Sequence, residues 1–317
     1  MRAYIIRRLL LIVPTLLMVS VIVFFLVRLI PGDVVDQIAM VQSTAGQVSR
    51  EEIAQRLGLD KPVHVQYVEW IAGIFLRGDF GKSLWSHRPV LPEIISRFPV
   101  TVELGLIALL TSLFIALPIG IYSAIRQNTV GDYLARSVAI ASIALPSFWI
   151  GTMIMVFPSI WWGWTPPMKY VPFFKDPSAN LKMFFIPGVV LGMVLSGTTM
   201  RMTRTMMLEV LRQDYIRTAW SKGLKERVIV LRHALKSALI PVVTIVGLRL
   251  PILIGGSIIL ERIFVLPGIG WLLVDVINSR DYTVLQGLNL FIAMFVLVIN
   301  LVVDLTYSYL DPRIHYT

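Results

Sequence analysis

Residues 215–241 read YIRTAWSKGLKERVIVLRHALKSALIP. The stretch is basic and broken by one glycine, yet it lies between two strongly apolar segments. Upstream of it, RTMMLEVLRQDYIRTAWSK (204–222) is made of helix formers with no Pro or Gly. Gly223 interrupts, and LKERVIVLRHAL (224–235) resumes helical character. The pattern predicts a helix, a turn that needs glycine's backbone freedom, and a second helix. A polar helix–turn–helix held between two apolar runs is an elbow projecting from a membrane bundle, of a kind that can seat a short helix in a partner's groove. Attraction of a basic loop to anionic lipid would not require the glycine, nor the apolar Ala219, Leu224, Val228 and Leu231.

The chain around this elbow is 317 residues long, 56% hydrophobic and 15% charged, with mean hydropathy +0.76. That is outside the range of soluble domains. Crossing about 30 Å of hydrocarbon takes an apolar helix of roughly 20 residues. Six such runs stand at about 9–30, 100–125, 134–157, 184–202, 239–260 and 283–306. None alternates as a membrane strand would, so the expected fold is an all-α integral membrane protein with six transmembrane helices. The first run follows Arg2, Arg7 and Arg8 but is too long for a signal peptide and shows no small-x-small cleavage site, which predicts an uncleaved anchor.

The net charge of +10 invites a nucleic-acid reading, but its placement argues against one. With six spans both termini share a side. If that side is the cytoplasm, the whole positive excess falls there, nine Lys/Arg of it between Arg201 and Lys236. The positive-inside rule therefore predicts an N-in, C-in orientation in the cytoplasmic membrane, with no nucleic acid as partner. On this reading the chain comprises an N-terminus and first span (1–30), an extracytoplasmic segment (31–99) and a five-span core (100–317), with the elbow over about 205–238 on the cytoplasmic side.

The extracytoplasmic segment is expected to be helical. SREE (49–52) matches a capping box, and Gly58 would close the helix it begins. In DKPVHVQYVEWIAGIFLRG, Asp60 is the expected cap, and Val63, Tyr67, Trp70, Ile71 and Ile74 share a face. GKS at 81–83 lacks the glycine and strand of a phosphate loop, and DFG at 79–81 lacks every companion kinase motif. Neither implies nucleotide hydrolysis by this chain. His64, His87, His233 and His315 are scattered, cysteine is absent, and no metal or nucleophile constellation forms, so no catalytic residue and no metal are expected. Arg28, Glu103 and Asp304 lie near enough to span ends to reach polar surroundings. Arg249 stands deep in the fifth run, and a charge there is expected to line a wet conduit or to form an ion pair.

RTAWSKG followed by HAL resembles the coupling loop of ABC-importer permeases, with its Glu-Ala-Ala ahead of a glycine and Ile, Leu and Pro after it. Ala219, Gly223 and Leu235 are kept; Arg217, Thr218, His233 and Lys236 depart from that pattern. RRLLLIVPTLLMVSVIVFFLVRLIPGD (7–33), RLGLDKPVHVQY (56–67), GDFGKS (78–83), ALPSFWIG (144–151), ERIFVLPGIGWLL (261–273), RDYTVLQG (280–287) and DLTYSYLDPRI (304–314) together resemble the first permease of dipeptide/oligopeptide/nickel importers. The resemblance implies a second homologous permease completing the pore, two ABC ATPase subunits carrying ATP and Mg, and an extracytoplasmic substrate-binding protein. It implies no cofactor and no ATPase site on this chain. By position, Arg217, Thr218, Ala219, Gly223, Leu224, Glu226 and Arg227 fall in the ATPase-coupling loop. The implied cargo is a di- or oligopeptide, with nickel or oligosaccharide as alternatives. A secondary transporter, the rival from another class, would need mid-membrane carboxylates or histidines that are not evident.

Overall fold

A computed structural model describes residues 2–29, 55, 60–167 and 169–310. The SREE capping box, Gly58 and the tail beyond 310 lie outside the described residues. Among those described, regular structure is helical, apart from a lone antiparallel bridge between Lys82 and Pro89. Contacts divide the chain into two compact units, one of Met1–Phe98 with Leu272–Val298 and one of Pro99–Trp271 with Ile299–Thr317.

In the first unit, helix α1 (Arg2–Arg28) is apolar all round and leaves Leu10, Met18 and Leu26 largely exposed, as a lipid-facing span does. Helix α2 (Val63–Arg77) packs on it through aromatic side chains. Phe24 of α1 lies buried with Tyr67 and Trp70 at centroid distances of 5.2 and 5.7 Å. Ser20 and Tyr67 share a 2.9 Å hydrogen bond, and the Arg28 guanidinium sits 3.5 Å over the Phe24 ring while donating to Gln66. Pro62, not Asp60, stands at the N-cap of α2, and no side chain caps it. At the other end Gly78 takes φ +65° and passes its N–H to Ile74, closing the helix in the left-handed conformation that glycine adopts without penalty.

In the second unit, helix α3 (Val90–Ile125, of which Pro99 onward belongs here) is followed by α4 (Val130–Ala144) and α5 (Ser147–Trp162). The apolar run over 134–157 is thus two helices, bent by 91°. Pro146 explains the break: it has no N–H to donate and drives the residue before it out of the helical region, and Leu145 has ψ 123°. Helix α6 (Pro177–Leu211) starts at Asp176, whose carboxylate accepts from Ser178 N and Ala179 N at 3.0 and 3.1 Å. It packs closely on α4, where a Cβ at Gly197 would stand 2.6 Å from the Ala139 carbonyl oxygen.

Helix α7 (Asp214–Ser221) and the single turn α8 (Glu226–Val228) follow, then a π-helical segment, Ile229–Ala234, that runs into α9 (Leu235–Ile263). Helices α10 (Ile269–Asn278) and α11 (Tyr282–Leu310) complete the order. Among the described residues five stretches are long and apolar enough to cross a membrane: Ile6–Arg28, Val90–Ile125, Pro177–Leu211, Glu226–Pro251 and Tyr282–Thr306. The bent α4–α5 pair makes a sixth if it counts as one broken span.

Candidate functional site

The elbow is built as a helix, a left-handed turn and a helix, with one break that the sequence does not announce. The helix expected to run through 204–222 stops at Leu211, and α7 begins afresh at Asp214. Helix α7 is strongly two-faced. Ile216 and Ala219, three residues apart and so on one side, are buried. They join Met207 of α6, Ala124 of α3, Ile229, Val230 and Ala234 of the π-helical segment, and Ala238 of α9 in a single apolar cluster. The elbow therefore rests on its own hydrophobic seat, with its other face exposed.

Gly223 closes α7 with φ +75°, its N–H donating to Trp220 O at 2.9 Å and the Leu224 N–H reaching Ala219 O at 3.4 Å. No atom lies within 4 Å of where a Cβ at Gly223 would be. The position therefore needs glycine for its backbone angle and not for space; bulk at the turn meets no obstacle within the chain. Arg217, Thr218, Leu224, Glu226 and Arg227 are all exposed. Ala219 is the exception in the sequence-derived set, since it faces inward and anchors the helix. Tyr215, Trp220, Leu224, Val228 and Leu231 put apolar surface outward amid Arg212, Lys222, Lys225 and Arg232.

Arg249 stands apart from the elbow. It is half-buried within α9, and no ion-pair partner faces it among the described residues. Arg28 meets Phe24 and Gln66, as described above, in place of a simple reach toward water. Glu103 lies well inside α3, because that helix begins at Val90, before the apolar run; its Oε1 is buried and has no hydrogen-bond partner within 3.5 Å among the described residues. Asp304 is half-buried within α11.

Three polar knots went unremarked in the sequence. Glu261, fully buried, accepts from Thr101 Oγ1 at 2.7 Å, Ser257 Oγ at 3.0 Å and Trp271 N at 2.9 Å, while Ile269 N donates to Thr101 Oγ1 at 2.8 Å. The ERIFVLPGIGWLL string is thus a folded unit in which one carboxylate organises the start of α10. Asp281 accepts from Ser83 Oγ at 2.6 Å and from the Leu84 and Val284 N–H groups at 3.2 Å, with Trp85 Nε1 donating to Ser279 O at 2.7 Å. This joins GDFGKS to RDYTVLQG. The third knot, around Asp132, ties α3, α4 and α6 together. Each draws at least one ordinary polar residue from far along the chain, so only the quoted strings around two of them hinted at importance.

The model of the family described as binding-protein-dependent transport system inner membrane component matches residues 116–316, and that of its N-terminal part matches residues 1–105. The chain belongs to this family. It is accordingly a multi-pass inner-membrane component of a transport system. The glutathione transport system permease protein GsiC of Salmonella typhimurium (strain LT2) is 39% identical to this permease over 313 residues, 99% of each chain. A relative from Brucella suis biovar 1, named as permease protein of a peptide transport system, is 38% identical over 316 residues and the full length of both chains. An amino acid ABC transporter crystal structure superposes with TM-score 0.51 at 15% identity, over 71% of this chain and 95% of the other, which extends the likeness to the fold.

Proposed function

We propose that this permease forms half of the translocation pore of an ATP-driven ABC importer and couples that pore to ATPase subunits through the elbow. The observation that carries the reading is the elbow itself: a short helix seated on an apolar cluster of α3, α6 and α9, with Arg217, Thr218, Leu224, Glu226 and Arg227 turned outward. Two ABC ATPase subunits, holding ATP and Mg, close on nucleotide and move the docked helices as rigid bodies, which switches access across the bundle. A second homologous permease completes the pore, and an extracytoplasmic binding protein delivers the cargo. The concentration of Lys/Arg between Arg201 and Lys236 supports an N-in, C-in orientation, with the elbow cytoplasmic and the segment of α2 extracytoplasmic.

The cargo is a small peptide. Relatives sharing nearly the whole chain carry the names of peptide and glutathione systems, and Arg249, a half-buried cation within a span, suits a peptide carboxylate. Reconstitution into vesicles with the ATPase, second permease and binding protein tests the whole reading. Uptake of short peptides is expected to require ATP strictly, and to be lost in Gly223→Pro while the protein remains in the membrane. Uptake without ATP, or normal uptake by that variant, would overturn it. Uptake of nickel or an oligosaccharide in place of peptides would overturn the cargo alone.

A further inference from the structure

Asp132 is a fully enclosed charge of the second unit: its side chain has no exposed surface. Four elements converge on it. Ser123 of α3 donates its hydroxyl to Oδ1. The N–H of Asn128, in the turn between α3 and α4, donates to Oδ2 at 3.0 Å, aimed there by a left-handed φ of +62°. Arg204 of α6 grips both carboxylate oxygens, Nε to Oδ1 at 2.9 Å and Nη2 to Oδ2 at 3.0 Å, and also donates to Ser123 Oγ at 3.0 Å. Arg136, one turn along α4, approaches Oδ2 at 3.3 Å.

This knot adjoins the seat of the elbow. Ser123 is followed directly by Ala124, and Arg204 lies one turn before Met207; Ala124 and Met207 both belong to the apolar cluster that holds Ile216 and Ala219. Displacement of the elbow thus bears on α3 and α6 at the point where a bidentate ion pair clamps them to α4. Helix α4 is the first half of the α4–α5 pair bent at Pro146. The seat contains no residue of α4, so at this end α4 is tied to α6 by a planar guanidinium gripping two oxygens, which fixes both distance and angle.

We infer that the Asp132–Arg204 pair, with Ser123, is the joint that carries elbow movement into the bent α4–α5 pair, so that its residues position the gate. This rests on the elbow being the docking element. Removing one member alone would strand a buried charge, so the informative variant removes both, Asp132→Asn with Arg204→Met. ATP hydrolysis and peptide uptake are measured in the same vesicles containing the full complex. The double variant is expected to assemble and to hydrolyse ATP, while peptide delivered per ATP falls about tenfold, a loss typical of a broken coupling. Arg204→Lys, which keeps the charge but not the fork, should fall between it and the parent protein. A ratio of uptake to hydrolysis unchanged in both variants, or the two activities falling in equal proportion, overturns the joint. If the double variant fails to reach the membrane, the same ratio read in Arg204→Lys and Ser123→Ala decides it by the same outcomes. Absence of ATP-driven uptake by the parent complex would overturn the elbow reading, and the joint with it.

Discussion

Gly223 takes φ +75° in open space, so what it contributes is a backbone angle. An L-residue held there pays about 1–2 kcal/mol, asparagine less, and proline cannot adopt the angle at all. Uptake is therefore expected to fall in the order parent, Gly223→Asn, Gly223→Ala, Gly223→Pro, with equal amounts of protein in the membrane; initial uptake rates normalised to immunoblot check it. Loss in Gly223→Ala as complete as in Gly223→Pro would mean that the partner, and not the turn, excludes the side chain. At Arg249 the same logic runs through charge. Arg249→Ala is expected to weaken uptake of peptides with a free C-terminal carboxylate by about tenfold, and of C-terminally amidated ones far less. Equal losses for the two cargos would make Arg249 structural.

Among elements, the loop from Gly78 to Pro89 is tied to the start of α11 through the Asp281 carboxylate. Asp281→Ala would leave the Ser83 hydroxyl and the Leu84 and Val284 N–H groups without their acceptor, a loss of about 1–3 kcal/mol for buried donors. The expected result is faster limited proteolysis within this loop, Asp281→Asn being milder because it keeps one acceptor oxygen; unchanged cleavage in Asp281→Ala would show the loop held by other contacts. Helix boundaries show where local rules suffice. Glycine at 78 and 223 and proline at 146 act through their own φ or missing N–H, so the turn at Gly223 was legible from residue type alone. The bend at Pro146 was equally local, yet the apolar run 134–157 masked it, because hydropathy counts side chains and ignores the backbone. The break after Leu211 has no such marker. It follows from Ile216 and Ala219 turning onto a cluster made by α3, α6 and α9, which no window along the chain contains.

For the whole molecule, the absence of cysteine makes orientation directly measurable. A single cysteine at Lys222 is expected to react with a membrane-impermeant maleimide only from the cytoplasmic side, and one at Ser86 only from the other; the reverse pattern would overturn N-in, C-in. The cationic outer face of the elbow, with Arg212, Arg217, Lys222, Lys225 and Arg227 exposed, should make association with the ATPase subunits weaken with salt, since exposed charges are screened within about 10 Å at 0.1 M. Co-purification across a salt series measures this.

Composition, the spacing of apolar runs and the side on which Lys/Arg accumulate were enough for an all-helical membrane protein with a glycine-jointed elbow, because hydrocarbon thickness and backbone sterics act on contiguous residues. The inward turn of Ala219 and the knots at Asp132, Glu261 and Asp281 were decided only by folding. Each depends on a carboxylate or methyl group finding partners as much as 198 positions away, as Ser83 finds Asp281, and what satisfies a buried group is proximity in space and not order along the chain.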